Sequence, residues 1–136
     1  MDIALRKKIF IFSALGLLVV ISDQLSKILI RLRGGFYICN PHIALGIEIP
    51  AVIFWIFWLV LILLIFYLLY KKYFIHNTLY IIFILSGALS NLVDRFWHGC
   101  IIDFINLGFG PIFNPADFFI SLGAIMLVIA YLKVKR

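Results

Sequence analysis

Four apolar runs divide the chain, and each is long enough to cross a lipid bilayer as a helix. They cover residues of about 9–30, 51–70, 78–97 and 115–132. A membrane-spanning helix needs about 20 residues, because each residue rises about 1.5 Å and the hydrocarbon core is about 30 Å thick. The pattern therefore predicts an all-α membrane protein with four transmembrane helices, in a single domain that covers residues 1–136.

The first run also begins like a secretory signal peptide, because Arg6, Lys7 and Lys8 precede it. A signal peptide would end at a cleavage site formed by small residues. After Ile21 the chain instead continues Ser-Asp-Gln-Leu, with no such site and no break in the helical pattern. We therefore expect this run to be retained as the first transmembrane helix.

Two segments between the predicted helices, residues 31–50 and 98–114, have a different pattern. Residues 34–38 and 43–47 look like two short strands separated by a turn at Asn40-Pro41, and glycines and a proline break the second segment. Bare strand edges cannot face lipid. We therefore expect a small β-rich cradle and a loop that together lie over the helix ends.

Composition and charge placement support a lipid environment. Hydrophobic residues make up 65% of the 136 residues and charged residues 13%, against about 25% charged in a soluble domain. The net charge of +6 comes from basic clusters before the first run, after the second and after the fourth. This is the positive-inside pattern, so we expect cytoplasmic termini and two outward-facing segments. Nucleic-acid binding would instead gather the charge on one folded face, and we expect no such partner.

Cysteine and histidine usage argues against a metal centre. Cys39 and Cys100 are too few for a disulfide framework or a zinc ribbon. We expect buried free thiols, although a disulfide stays open because both cysteines lie in outward-facing segments. His42, His76 and His98 are scattered, and the chain has no His-Glu-x-x-His motif. We therefore expect no metal and no cofactor.

Four of the six acidic residues lie at or near the outward ends of the predicted helices: Asp23, Asp94, Asp103 and Asp117. Placing a carboxylate at membrane depth costs a few kcal/mol on insertion scales, roughly 3 kcal/mol each. Such residues are candidates for function, although pairing with a lysine or arginine is a structural alternative.

Asp103 and Asp117 are the pair that suggests catalysis. Asn114, Pro115, Ala116 and Asp117 read as a helix start, with Asn114 as N-cap and Asp117 in the first turn. If the two carboxyl groups meet, they must share one proton. One carboxylate then activates water while the other protonates an amide. The alternative is a capping acid together with an unrelated loop acid.

Two further charged pairs have both a functional and a structural interpretation. Asp23 and Lys27 lie one helical turn apart on one face of the first helix, so Lys27 either joins a site or extends towards the interface. Asp94 and Arg95 end the third predicted helix. They form either an interfacial ion pair or a site in which Arg95 positions a backbone carbonyl or the two acids.

Amide and hydroxyl side chains complete the list of candidates. Asn40, Asn91 and Asn114 lie near the same outer surface and either bind a peptide or satisfy loop backbone. Ser22 or Ser26, beside the lysine of the first helix, would suggest a serine–lysine pair. However, serines in membrane helices usually bond to their own backbone.

The order and spacing of these residues resemble the lipoprotein signal peptidases (signal peptidase II). The matching motifs, which span residues of about 20–125, are Gly87-Ala88-x-x-Asn91-x-x-Asp94-Arg95, Gly99-x-x-x-Asp103-Phe104 and Phe113-Asn114-x-Ala116-Asp117. Asp23-Gln24-x-x-Lys27 is similar to the motif of the family's first helix, and Asn40 with Ala44 to its first outer loop. Departures include Ser86 and Ser90, where the family usually has glycine, and Pro115.

The resemblance implies an aspartic endopeptidase of the bacterial plasma membrane, with no metal or cofactor. Such enzymes remove the signal peptide of diacylglyceryl-modified prolipoproteins by cutting before the lipidated cysteine. By this resemblance Asp103 and Asp117 are catalytic. The residues that bind substrate are Asn40, Asn91, Arg95 and Asn114, and the supporting residues are Asp23, Lys27, Asp94 and Ala116. We expect a monomer whose partners are lipidated prolipoproteins and membrane lipids.

Two functions of other classes remain as alternatives. One is a small four-helix transporter that uses a buried carboxylate. It would place an acid near the middle of the membrane, whereas the acids here gather towards one face. The other is a non-catalytic scaffold that binds lipidated peptides, which would tolerate loss of both aspartates.

Overall fold

A computed structural model describes residues 3–41, 52–53, 56, 59–60, 63 and 74–134. The elements with defined bounds are three helices and two strands: α1 (Ile3–Leu32), β1 (Ile38–Asn40), α2 (Phe74–His98), β2 (Ile101–Asp103) and α3 (Pro115–Val134). The described residues between 52 and 63 are helical as well. The apolar run 51–70 lies largely outside the described residues, so a fourth transmembrane helix stays a prediction.

All three described helices are long and apolar enough to cross a membrane. Their candidate spans are Arg6–Leu32, Thr78–His98 and Pro115–Lys133. Large apolar side chains cover their outer surfaces, such as Leu17 on α1 and Val128 on α3, both more than half exposed. Such a surface is stable when lipid covers it. The prediction of a mainly helical chain is therefore confirmed, and the described residues hold three of the four predicted candidates for membrane spans.

The helices pack with α2 between α1 and α3, at contacts made by small residues. A Cβ atom on Gly123 of α3 would lie 2.6 Å from the Tyr80 carbonyl oxygen of α2. A Cβ on Gly87 of α2 would lie 2.5 Å from the Ala116 carbonyl oxygen of α3. Helices in lipid associate through such close approach, because burial from water does not drive them together.

The two strands form a short antiparallel sheet over the helix ends. Ile38 pairs with Asp103, Cys39 with Ile102, and Asn40 with Ile101. Of the predicted strand 34–38, only Ile38 lies in β1, because the chain turns at Gly34 with φ 66° before it becomes extended. The second predicted strand, 43–47, lies outside the described residues. The partner of β1 is instead β2, in a segment for which we predicted only a loop.

The cysteines form a disulfide, so the expectation of free buried thiols is wrong. Cys39 of β1 is bonded to Cys100, which directly precedes β2, and their Cα atoms are 5.4 Å apart. Sequence spacing could not reveal the bond, because antiparallel pairing of two distant three-residue strands brings the cysteines together.

Replacing Gly123 with alanine should weaken the packing of α2 on α3. The new methyl group would meet the backbone of Tyr80, which cannot move aside, and overpacking of this kind costs roughly 1–3 kcal/mol. Gly16→Ala is the matched control, because there the methyl group meets side-chain atoms and no backbone of the neighbouring helix: Cγ2 of Ile82 at 2.8 Å and Cβ of Ser86 at 3.7 Å. Thermal unfolding in detergent should give a clearly lower midpoint for Gly123→Ala. Equal midpoints for the two variants would contradict this account of the packing.

Candidate active site

The start of α3 fixes Asp117 through backbone contacts. The Asp117 amide nitrogen donates to Oδ1 of Asn114 at 2.9 Å, and the Asn114 amide nitrogen donates to Oδ2 of Asp117 at 3.3 Å. This reciprocal arrangement is a capping box, with Pro115 at the first helical position. The prediction that Asn114 is the N-cap is confirmed, and the carboxylate of Asp117 satisfies backbone at the positive end of the helix dipole.

Asp103 lies on β2 with its side chain only 2% exposed. Each of its carboxylate oxygens accepts a hydrogen bond from an amide. Nδ2 of Asn114 lies 2.6 Å from Oδ1, and Nδ2 of Asn40, on the paired strand, lies 3.0 Å from Oδ2. The sheet therefore brings an outer-loop asparagine against this aspartate.

Asn91 of α2 connects the environments of the two aspartates. Its Nδ2 donates to Oδ1 of Asp117 at 2.8 Å, while its Oδ1 accepts from Nδ2 of Asn114 at 3.2 Å. Asn114 in turn contacts Asp103. Two amide side chains thus join the two carboxyl groups in one polar cluster, and Asp103 is not an unrelated loop acid.

Burial sets the protonation of Asp103. Loss of water around its carboxyl group raises its pKa to about 6, and the negative charge of Asp117 adds to this rise. The hydrogen bonds from Asn40 and Asn114 and the positive charge of Lys27 lower the pKa and so oppose the rise. A carboxyl group with this pKa gains or loses a proton near neutral pH. General acid–base chemistry requires such a group.

A buried ion cluster supports the site from the side of α1. Lys27, only 2% exposed, places its Nζ 2.6 Å from Oδ2 of Asp23 and 2.7 Å from Oδ2 of Asp94. The same nitrogen donates to Oδ1 of Asn91 at 3.1 Å. Lys27 therefore does not extend to the interface, and Asp94 has its ion pair with this lysine of another helix.

The two aspartates of this cluster also hold the elements that carry the candidate catalytic pair. Oδ1 of Asp23 accepts from the Ala116 amide nitrogen at 2.9 Å, at the start of α3. Oδ2 of Asp94 accepts from the Ile102 amide nitrogen at 3.1 Å, in β2. The residues expected to be supporting, Asp23, Lys27, Asp94 and Ala116, therefore meet in the structure.

Sequence reasoning missed two members of the ion cluster. Oγ of Ser90 donates to Oδ2 of Asp23 at 2.7 Å, and Nε2 of Gln24 donates to Oδ1 of Asp94 at 2.9 Å. Gln24 follows Asp23 within the first-helix motif, and Ser90 lies one turn before Asp94 on α2. Both positions were visible in the sequence, but the contacts join different helices and no local pattern shows them.

Hydrogen bonds bear on two further interpretations. Nη1 of Arg95 donates to the Pro41 carbonyl oxygen at 3.3 Å, so this guanidinium contacts the backbone of the outer segment after β1, and its part in substrate binding stays a prediction. Oγ of Ser22 bonds to the Val19 carbonyl and Oγ of Ser26 to the Asp23 carbonyl, as expected for serines in membrane helices.

Among the described residues, no group of three or more His, Cys, Asp or Glu side chains could hold a metal ion.

Comparison with known proteins identifies the family. The family model described as signal peptidase (SPase) II matches residues 15–133. The chain belongs to the signal peptidase II family. The description of this family is that of a peptidase, so membership favours a peptidase over the transporter alternative.

Individual relatives and solved structures agree with this assignment. The chain is 49% identical over 57 residues to the lipoprotein signal peptidase of Serratia proteamaculans (strain 568), a match that covers 39% of this chain and 34% of the relative. It is 53% identical over 49 residues to that of Syntrophomonas wolfei subsp. wolfei, covering 36% of this chain and 33% of the relative. The matches thus span about a third of the length of these curated relatives.

Two solved structures, each described as a bacterial membrane enzyme determined by the in meso method, have the same fold. One, at 2.3 Å resolution, matches with a TM-score of 0.79 and covers 92% of this chain and 89% of its own. The other, at 1.9 Å, matches with a TM-score of 0.71 and covers 92% and 94%. Both are 27% identical to this chain.

Asp103 should be half protonated near pH 6, and Asn40→Ala should raise that pH. The amide of Asn40 stabilises the charged carboxylate, so its removal favours the protonated form. Infrared spectra recorded against pH would follow the carboxyl band, and its loss in Asp103→Asn would assign it. Asn106→Ala, in the exposed loop after β2, is the control and should leave the titration unchanged. A titration of Asp103 near pH 4 would contradict the burial argument.

Lys27→Met should destabilise the fold by about 3–5 kcal/mol, because it leaves two buried carboxylates without their cation. Lys133→Met removes an exposed lysine near the end of α3 and should hardly change stability. Unfolding of both variants by titration from mild into denaturing detergent would compare them. Equal stability of the two variants would mean that the ion cluster does not support the fold.

Proposed function

We propose that this chain is an aspartic endopeptidase that removes signal peptides from diacylglyceryl-modified prolipoproteins, with Asp103 and Asp117 as its catalytic residues. One observation carries the proposal. Two carboxyl groups from different elements join one amide network, and burial brings the pKa of one of them to about 6. Family membership supplies the class of substrate.

The two aspartates have different surroundings, which suits a division of roles. Asp117 lies in the first turn of α3, where the backbone amide of Asn114 and the helix dipole favour the anion. Asp103 is buried on β2, and its raised pKa favours the proton. In the resting state we therefore assign the negative charge mainly to Asp117, although the shared proton belongs to the pair.

The reaction then needs only these two groups and water. The ionised carboxylate takes a proton from water as the water oxygen attacks the carbonyl carbon of the scissile amide. The protonated carboxyl group donates its proton to the carbonyl oxygen, which gives a gem-diol intermediate. The carboxyl group that took the water proton then protonates the amide nitrogen, the carbon–nitrogen bond breaks, and a gem-diol hydroxyl returns its proton to the other carboxylate. The signal peptide leaves with a new carboxyl end and the lipidated cysteine with a new amino end.

The asparagines act in this proposal mainly by orienting the carboxyl groups. The Nδ2 groups of Asn91 and Asn114 donate to Asp117 and Asp103, so in this state they are directed at the catalytic acids. Asn40 does the same from β1. Arg95, which contacts the Pro41 carbonyl, holds the outer segment that follows β1. We infer that substrate contacts with these residues supplement the orienting role.

Placement at the outer membrane interface fits a lipid-anchored substrate. Trp97, at the end of α2, is 76% exposed, and tryptophan settles at the level of lipid headgroups. We propose that the diacylglyceryl chains stay in the bilayer while the scissile amide reaches the aspartates. We propose that both termini lie in the cytoplasm, on the inner side of a bacterial plasma membrane, which the positions of the basic clusters support, and that the protein acts as a monomer.

Asp103→Asn and Asp117→Asn should each lower cleavage by roughly 100-fold or more, because each removes a group that transfers a proton. The assay is release of the signal peptide from a synthetic diacylglyceryl-modified prolipoprotein in detergent or bicelles. Asn106→Asp, an isosteric change in the exposed loop after β2, should cleave at the wild-type rate.

Near wild-type cleavage by either aspartate variant would exclude the proposed catalytic pair. A wild-type protein that binds the lipidated peptide without turnover would instead support the scaffold alternative.

A further inference from the structure

The Cys39–Cys100 disulfide lies next to the candidate active site, and nothing in the proposed chemistry uses it. Cys39 directly precedes Asn40, whose amide donates to Asp103. Cys100 directly precedes β2, which ends with Asp103. The bond therefore joins the two chain segments that bring this donor and this acceptor together.

The strand that carries Asn40 is short and lies partly exposed, attached by its ladder with β2 and by the contact of Arg95 with the next residue, Pro41. β1 is three residues long, Ile38 and Cys39 are exposed and Asn40 is half-buried, whereas all three residues of β2 are buried. A ladder of two such short strands is marginal by itself. Covalent attachment to Cys100 thus adds a strong constraint on the position of β1 beside β2.

We propose that the Cys39–Cys100 disulfide is a positioning element of the active site, which holds Asn40 against Asp103 and makes cleavage depend on the oxidation state of the two cysteines. The inference rests on the proposed function, because it assigns Asp103 a part in the reaction. It extends that function with a covalent link that makes the site sensitive to redox conditions.

The bond is accessible from one side. Cys39 is exposed, whereas Cys100 is 3% exposed. A thiolate of a dithiol reductant attacks Sγ of Cys39, and Cys100 leaves as a thiolate that takes up a proton. The second thiol of the reductant then displaces Cys39, which also takes up a proton, so two electrons pass to the cysteines and the reductant becomes a disulfide. The extracytoplasmic side, where we place the site, keeps such bonds oxidised.

Release of β1 has a defined electrostatic consequence at Asp103. The charged groups that act on this carboxyl group are Asp117 of α3, Lys27 of α1 and Arg95 of α2. All three lie on helices that the disulfide does not touch. With Asp103 still buried on β2, the contribution that reduction removes is the hydrogen bond from Asn40, which stabilises the carboxylate. Reduction should therefore raise the pKa of Asp103 and shift the alkaline limb of the activity profile, where the proton of this acid is lost, to higher pH.

The experiment compares four proteins, oxidised and after treatment with dithiothreitol: the wild type, Asn40→Ala, the double variant Cys39→Ser with Cys100→Ser, and the control Asn106→Ala. Cleavage of the diacylglyceryl-modified peptide gives kcat and KM across pH. Alkylation of free thiols, followed by mass spectrometry, reports the state of the cysteines. Circular dichroism reports whether each protein stays folded.

We expect reduction to lower the kcat of the wild type by roughly tenfold, the size of effect of losing one hydrogen bond to a charged group, and to leave KM nearly unchanged. The double cysteine variant should show the lower kcat under both conditions. Asn40→Ala should also be low and insensitive to reduction, because it already lacks the donor. Reduced Asn106→Ala should behave like reduced wild type.

Full activity and an unchanged pH profile in wild-type protein with fully alkylated thiols would overturn the inference. So would a reduced Asn40→Ala that loses a further tenfold, because the disulfide would then act through something other than Asn40. If oxidised wild type fails to cleave at all, the proposed function fails. The infrared titration of Asp103 then tests the positioning role separately. Reduction must raise the pKa of Asp103 if the inference holds, and an unchanged pKa would mean that the inference is wrong.

Discussion

The buried ammonium group of Lys27 is the feature on which the rest of the structure depends. A charge in the interior is costly unless paired and hydrogen-bonded, and here the cation meets the carboxylates of Asp23 and Asp94 and the amide oxygen of Asn91. The remaining acceptor positions of the two carboxylates bind the starts of other elements, the Ala116 amide of α3 and the Ile102 amide of β2. One ion cluster therefore connects α1, α2, α3 and β2.

A network of this kind has to be satisfied throughout, because an unpaired polar group in a low-dielectric interior is costly. Among the described residues, no buried side-chain nitrogen or oxygen lacks a hydrogen-bond partner. Ser90 shows how the sequence meets this demand, since its hydroxyl donates to Oδ2 of Asp23 at 2.7 Å. The polar network thus specifies one arrangement of helices whose outer surfaces are largely apolar.

Interactions between residues close in the sequence could be predicted, whereas contacts between distant parts of the chain could not. The start of α3 at Asn114 was predictable, because a cap depends on residues three positions apart. The pair Asp23 and Lys27 was visible from its spacing of one turn, but its partner Asp94 was not, because a contact between helices leaves no local pattern. The disulfide and the three-residue strand β1 were missed for the same reason. The family resemblance named the site residues, and the structure supplied the contacts that join them.

The start of α3 also relates the site to the lipid. Asp117 faces the amide cluster, while its neighbour Phe118 is 53% exposed on the apolar outer surface of the helix. Consecutive residues of a helix point about 100° apart, so one turn can present a carboxylate to a polar interior and an aromatic ring to acyl chains. The proposed substrate has a similar arrangement, because its scissile amide lies next to a cysteine that carries acyl chains. The proposed substrate would therefore need no transfer of its acyl chains into water to bring its scissile bond to Asp117.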